Sequence, residues 1–386
     1  MRNVTHIITG LSTGGAEMML YKLLSAATKD DLEAVVISLM DVGTIGARIA
    51  RLGVPVITLG MMRGVPGPFA AIRLIRTIRR VRPSVIQGWM YHGNLTATLA
   101  ARSVHEAIPV LWNIRQSLYE TQKERSLTRL TIKVGSGLSK GPVKIIYNSH
   151  ISAAQHEALG YKREKTIVIP NGFDTDQFCP NSGARNRVRE ELGIPNDALA
   201  IGLVARHHPM KDHGNFLDAA SLLLQQYQGV HFVLSGSGIN PDNREIWKLV
   251  EKLQLNDNVH LLGEREDVPE ILASLDIATS SSAWGEGFPN VIGEAMACGI
   301  PCVVTDVGDS AFIVGETGLV VPPGEPASLS HAWLKLIDMG SEERQGLGIA
   351  ARQRVIERFS LTAISQQYQD LYEHVAYAKS EKRCAA

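Results

Sequence analysis

THIITG at residues 5–10, AEMMLYKLLSAA at 16–27 and EAVVISL at 33–39 set the pattern from which the fold follows. The first and third are short β-branched runs, and the second carries apolar residues at helical spacing. The alternation continues through GARIARLG (46–53), PVITLG (55–60), FAAIRLIRTIRRV (69–81), SVIQGWM (84–90), LTATLAARS (95–103), PVLWNI (109–114), KIIYNS (144–149) and TIVIP (166–170). Strands separated by helices in this way form a mostly parallel sheet with helices on both faces, so the first part of the chain reads as a Rossmann-like domain.

After Pro170 the text turns to NGFDTDQFCPNSGARN, rich in Asn, Asp, Pro, Gly and Ser, as expected of a connection between domains. Alternation then resumes with LAIGLVA (199–205), VHFVLSG (230–236), VHLLG (259–263), IATSSS (277–282) and PCVVTD (301–306), each followed by a helical pattern, and the chain closes in helices. At 386 residues it is too long for one core. The expected α/β fold has two Rossmann-like domains with mostly parallel sheets facing across a cleft. Residues 1–178 form the first domain, 179–360 the second, and 361–386 a helix that crosses back to the first. Ser341 and Ser360 are candidate N-caps of the closing helices.

Composition is that of a soluble enzyme, 45% hydrophobic and 20% charged, with no net charge. The charge is unevenly spread: residues 1–180 hold 22 Lys+Arg against 12 Asp+Glu, and no acidic residue falls between Asp41 and Glu106. Such a basic body suits an anionic partner, and a membrane surface or phosphate-bearing lipid fits as well as nucleic acid; solvated helix faces balanced by the acidic second half account for it equally. The start of the chain lacks the features of a signal peptide, and no apolar run reaches the length of a membrane span. The expected location is cytoplasmic, with peripheral association at the inner face of a membrane. Cys179, Cys298, Cys302 and Cys384 show neither C-x-x-C nor zinc spacing. Reduced thiols, no metal and no cofactor are therefore expected.

Open α/β sheets bind ligands beyond the carboxyl ends of their strands. Beyond THIITG lies LSTGGAE, where Gly14 and Gly15 precede a helix; paired glycines admit close approach of an anion to the helix N-terminus, and serve a tight structural turn equally well. Neither G-x-G-x-x-G nor the ATP-binding P-loop pattern is present. Beyond LAIGLVA, Arg206 and Lys211 flank Pro209, a pairing that suits a diphosphate clamp, although taken by itself two solvated surface cations are the plainer reading.

The densest constellation is EGFPNVIGE, residues 286–294. Pro289 and Asn290 open a helix that Gly299 ends. Glu294 lies about 6 Å along the axis from Asn290 and points back toward the helix N-terminus. A diphosphate on the N–H groups near Asn290 and Val291 leaves Glu294 to accept from ribose hydroxyls and Glu286 to accept from sugar hydroxyls. Two exposed surface acids are the plainer reading, weakened because Glu294 sits among Val291, Ile292, Ala295, Met296 and Ala297.

EGFPNVIGEAMACGIP closely resembles the E-x7-E signature of family 4 glycosyltransferases. GGAE, YNS at 147–149, IPNGFD at the domain join and Arg206 with Lys211 follow that family's pattern in order over nearly the whole chain. The resemblance implies a GT-B fold and a metal-independent, retaining transfer of a hexose from a nucleoside diphosphate sugar, most readily a UDP-sugar, to a glycan or lipid-linked acceptor in polysaccharide or glycolipid synthesis. It assigns Arg206 and Lys211 to the departing diphosphate, Glu286 to the donor sugar and Glu294 to the ribose. Gly14 and Gly15 would approach the donor phosphates, Gly287, Phe288, Asn290 and Val291 would line the donor site, and Gly263 with Arg265 would meet the base. No nucleic acid partner is implied.

Two departures stand out. Where many relatives carry a histidine after the fifth strand, this chain has WNIRQS (112–117), so Asn113 or Arg115 is the candidate for that contact, with His92 in the preceding loop as a further acceptor or sugar contact; a lone histidine is more often simply packed or solvated. VGDS (307–310) lacks the second glycine and nearby glutamate of many relatives. Arg73, Arg76 and Arg80 lie on one side of a helix, a spacing compatible with interfacial binding. The competing readings are a sugar-nucleotide epimerase of the same architecture, or a non-catalytic sugar-nucleotide-binding protein.

Overall fold

The computed structural model describes residues 3–26, 33–61, 67–104, 108–119 and 126–384. The chain divides into two units, one running to Gly172 and taking in the chain from Leu361 onward, the other spanning Phe173–Ser360.

The first unit contains β1 (Asn3–Ile8), α1 (Gly15–Ala26), β2 (Glu33–Ser38), α2 (Gly43–Arg51), β3 (Val56–Thr58), α3 (Pro68–Val81), β4 (Val85–Trp89), α4 (Met90–Arg102), β5 (Val110–Ile114), α5 (Ser126–Leu138), β6 (Lys144–Tyr147), α6 (His150–Ala158) and β7 (Thr166–Val168). The second contains α7 (Ser182–Leu192), β8 (Leu199–Val204), α8 (His213–Leu224), β9 (Val230–Ser235), α9 (Arg244–Lys252), β10 (Val259–Leu261), α10 (Val268–Ala273), β11 (Ile277–Ser280), α11 (Asn290–Ala297), β12 (Cys302–Thr305), α12 (Ser310–Val314), β13 (Gly318–Val321), α13 (Pro326–Asp338) and α14 (Gly340–Phe359). Helix α15 (Leu361–Cys384) closes the chain and belongs to the first unit.

Both sheets are parallel. The first runs β3-β2-β1-β4-β5-β6-β7 and the second β10-β9-β8-β11-β12-β13, so strand order reverses between β1 and β4 and again between β8 and β11. Helices cover both faces of each sheet. In the first unit α1, α2 and α15 pack on one face and α3, α4, α5 and α6 on the other. This sandwiching explains why strands such as LAIGLV in β8 are apolar almost throughout instead of alternating.

Local signals place the helix ends. Ser149 caps α6 by accepting from the Ser152 N–H at 3.1 Å, and Asn181 caps α7 through the Ala184 N–H at 2.9 Å. Pro289 precedes α11, and Gly299, just past its end, takes φ +76°. Ser360 directly precedes α15, whereas Ser341 falls inside α14.

The join between the units falls at Gly172, a few residues before the expected boundary at 178, because Phe173 and Phe178 both bury their rings in the second unit's core. Helix α15 sends Ile364, Tyr368, Leu371, Tyr372 and Val375 into the first unit's core. Its Tyr372 hydroxyl donates to Gln87 Oε1 on β4 at 2.6 Å. Among the described residues no helix is long and apolar enough to cross a membrane. Cys179, Cys298 and Cys302 are free thiols, and burial pushes Cys298 up to about 12.

Candidate functional site

The loops that leave β8 and β11, the two strands flanking the second sheet's order reversal, are zipped together. After β8 the chain makes a 3-10 turn, Pro209–Lys211, and Asp212 takes φ +49° before its side chain caps α8 through the Asn215 N–H at 3.1 Å. After β11, Ser281 Oγ donates to the Lys211 carbonyl at 2.8 Å and the Ala283 N–H to the Met210 carbonyl at 2.9 Å. These bonds bring together two side chains that are far apart in sequence. Lys211 Nζ donates to Glu286 Oε1 at 2.5 Å, with the two side chains 18% and 8% exposed. Ser282 Oγ donates to the same carboxylate oxygen at 2.6 Å.

The loop after β12 completes the support. Gly308 takes φ +63°, and a Cβ there would stand 2.5 Å from the Glu286 carbonyl oxygen, so only glycine lets this loop press against the Glu286 turn. The neighbouring Asp309 N–H donates to the Gly287 carbonyl at 3.0 Å. Asn290 opens α11 on the exposed side of this turn, with Val291 partly buried after it. Glu294 is half-buried one turn further on. Arg206, on the loop of Lys211, is exposed and has no ion-pair partner among the described residues.

Other residues expected at the site have partners within the protein. The Phe288 ring is core, at 6.1 Å from the Phe173 ring and 5.9 Å from the Phe359 ring, which leaves only its backbone to face a ligand. Gly263, at φ +71°, follows β10 and its carbonyl accepts from the Gly236 N–H at 2.8 Å and Ser235 Oγ at 3.0 Å. Arg265 is engaged by two carboxylates: Asp267 at 2.6 and 2.8 Å and Glu191 at 2.6 and 3.2 Å. Those bonds raise Arg265 above the ordinary arginine range, Asp267 contributing most.

In the first unit, Gly14 accepts from the Met18 N–H at 2.9 Å as α1 begins, Gly15 is exposed, and burial pushes the Glu17 carboxyl up. His92 sits half-buried in the first turn of α4, where desolvation lowers it from the usual histidine value. Asn113 is 0% exposed, contrary to a sugar-contacting role, and is spent on structure. Its N–H donates to Asn94 Oδ1 at 3.1 Å and its Nδ2 to the Tyr368 hydroxyl at 2.9 Å. Arg115 donates to the Tyr368 hydroxyl at 3.0 Å, to Asn113 Oδ1 at 3.4 Å and to Asn171 Oδ1. Burial lowers the Arg115 guanidinium, with Tyr368 opposing. Asn113 and Arg115 are thus both bound up with α15.

Sequence reasoning passed over Ser281, Ser282, Thr305 and Tyr368. The serine run at 280–282 was the signal for the first two, since Ser282 stands one helical turn's length before Glu286; nothing local marks Tyr368. Among the described residues no group of three or more His, Cys, Asp or Glu side chains is arranged to hold a metal ion.

Two parallel sheets of these strand orders have the architecture of the GT-B fold. The structure of Anabaena Alr3699/HepE in complex with UDP shares the fold with a TM-score of 0.81, covering 97% of this chain and 100% of that one at 22% identity. The family described as Glycosyltransferase Family 4 matches residues 13–177, and Glycosyl transferases group 1 matches residues 198–339. The chain belongs to the family 4 glycosyltransferases. EpsF of Bacillus subtilis (strain 168) is 35% identical over 145 residues, 38% of this chain and 37% of its own length. The Escherichia coli UDP-Gal:alpha-D-GlcNAc-diphosphoundecaprenol alpha-1,3-galactosyltransferase is 26% identical over 212 residues, 54% of each chain. The chain thus spans about a third to a half of the length of these two curated relatives.

Proposed function

We propose that this protein is a retaining hexosyltransferase that moves a sugar from a nucleoside diphosphate, most readily UDP, to a glycan or lipid-linked acceptor, without a metal. The observation that carries the reading is the Lys211–Glu286–Ser282 cluster at the second sheet's order reversal, with Arg206 exposed on the loop of Lys211 and the N-terminus of α11 beside it. Ligands of open parallel sheets gather at such reversals. Anabaena HepE in complex with UDP-glucose, and the lipid-linked acceptor in the E. coli enzyme's name, supply the donor and acceptor classes by analogy.

In the proposed reaction the bond from the anomeric carbon to the donor phosphate breaks while the acceptor hydroxyl bonds to the same face of that carbon. Negative charge grows on the diphosphate, where Arg206, Lys211 and the α11 N-terminus stabilise it. A donor phosphate oxygen takes the acceptor proton, so the nucleoside diphosphate leaves protonated and no protein base is needed. Glu286 holds the hexose hydroxyls and Glu294 the ribose. The test is proton NMR of the product formed from a UDP-α-hexose in EDTA. An α-linked product supports the reading; a β-linked product, or activity abolished by EDTA, contradicts it.

The acceptor side of the reading includes an anionic membrane. Helices α3, α4 and α5 share one face of the first sheet and contain no acidic residue. Arg73, Arg76, Arg79 and Arg80 are exposed on α3 beside Phe69, which is 85% exposed, and Leu127, Leu130, Val134 and Leu138 form an exposed stripe along α5. Cations beside exposed apolar side chains suit a lipid surface.

A further inference from the structure

We propose that Ser282 is a positioning residue for Glu286, committing one carboxylate oxygen to the protein so that the other is presented to a hydroxyl of the donor hexose. The proposal rests on the reading of this cluster as a donor-sugar site. Both protein donors to Glu286, Lys211 Nζ at 2.5 Å and Ser282 Oγ at 2.6 Å, converge on Oε1. Among the described residues no protein group donates to Oε2. A carboxylate accepts along several lone-pair directions. Two strong donors on one oxygen therefore fix the plane of the group and leave the second oxygen for ligand.

Ser282 is well built for this task. It is 1% exposed, and its own carbonyl accepts from Thr305 Oγ1 at 2.7 Å, which ties it to the end of β12. Its neighbour Ser281 holds the Lys211 carbonyl at 2.8 Å. The two serines thus set the carboxylate and its ammonium partner from one short stretch, Ser282 through a side chain and Ser281 through backbone. Lys211 alone is a poor orienter, because an ammonium is a point charge on a flexible stem. The hydroxyl of Ser282 supplies the direction that Lys211 cannot.

The distinction from a merely structural serine lies in what depends on the sugar. Dissociation constants for UDP and for UDP-glucose, and kcat and KM for UDP-glucose hydrolysis, are to be measured on the wild type, Ser282→Ala and Ser282→Thr. We expect Ser282→Ala to bind UDP as the wild type does while kcat falls about tenfold, the loss of one hydrogen bond to a charged group, and Ser282→Thr to restore kcat. Equal loss of UDP and UDP-glucose affinity, or an unchanged kcat, would overturn the proposal. Should Ser282→Ala fail to fold, Ser282→Cys, which keeps the volume and only a weak donor, gives the same comparison. A wild type that binds none of the UDP-, GDP- and ADP-sugars would contradict the underlying donor-site reading and remove the proposal with it.

Discussion

Glu286 and Glu294 are two carboxylates on one turn and helix with different surroundings, and their replacement separates their roles. Glu286 is buried against Lys211 and Ser282, while Glu294 is half-buried on α11. We expect Glu286→Ala chiefly to lower kcat, by about a hundredfold, the scale of losing charged contacts near the reacting sugar. Glu294→Ala should chiefly raise the dissociation constant for the donor, by about tenfold. Calorimetric titration with kinetics on the same preparations distinguishes them, and equal effects of the two on binding alone would undo the division. The E-x7-E spacing was legible in the sequence because it is local. The partners of its first glutamate were legible only in part: Lys211 stood out as a cation after a strand, but its pairing with Glu286 depends on β8 lying beside β11. Asn113 and Phe288 looked like ligand contacts for the same reason in reverse, since nothing local reveals Tyr368 or Phe173 as their partners; of the two carboxylates on Arg265, Asp267 is local and only Glu191 is distant.

At the scale of the element, the β8–β11 junction aligns the two loops that carry the site, and Asp276 anchors it from the other end of the strands. Its carboxylate accepts from the Ala200 N–H at 2.8 Å, from Arg189 Nη2 at 2.6 Å and from Arg185 Nη2 at 2.8 Å. The Arg189 side chain is only 1% exposed. Removing one partner leaves a buried charge uncompensated, so Asp276→Ala should cost about 3–5 kcal/mol in urea unfolding; a loss below about 1 kcal/mol would show that Arg189 re-partners. Helix α3 makes a separate prediction. Replacing Arg73, Arg76 and Arg80 together by Glu should weaken binding to anionic vesicles by at least about a hundredfold, at about 1 kcal/mol per cation near the surface. Sedimentation with phosphatidylglycerol vesicles reads this directly, and unchanged binding would exclude α3 from the membrane face. The strands and helices themselves were readable from β-branched runs and helical spacing because each is a local pattern, whereas the boundary at Gly172 was not, since it is set by where the Phe173 and Phe178 rings are buried.

For the whole molecule, both units bury neutral histidines. Burial lowers His6 to about 3 and His156 to about 4 in the first unit, and His213 to about 4 in the second. The unfolded chain takes up these protons at an ordinary histidine value near 6.5. The unfolded state therefore binds more protons between about pH 6.5 and pH 4, and stability rises with pH across that window. At pH 5 each such histidine should cost on the order of 1–2 kcal/mol relative to pH 7.5. Urea midpoints at the two pH values measure it; equal midpoints would mean that these rings are protonated in the folded protein.

The central claim, a donor site for a nucleoside diphosphate sugar built on Lys211 and Glu286, is tested most directly by thermal shift of the wild type and of Lys211→Ala with UDP-, GDP- and ADP-sugars. The account predicts that at least one of these donors, a UDP-sugar foremost, raises the wild-type Tm and that Lys211→Ala loses most of that increase. No stabilisation of the wild type by any of them, or full stabilisation of Lys211→Ala, would contradict it.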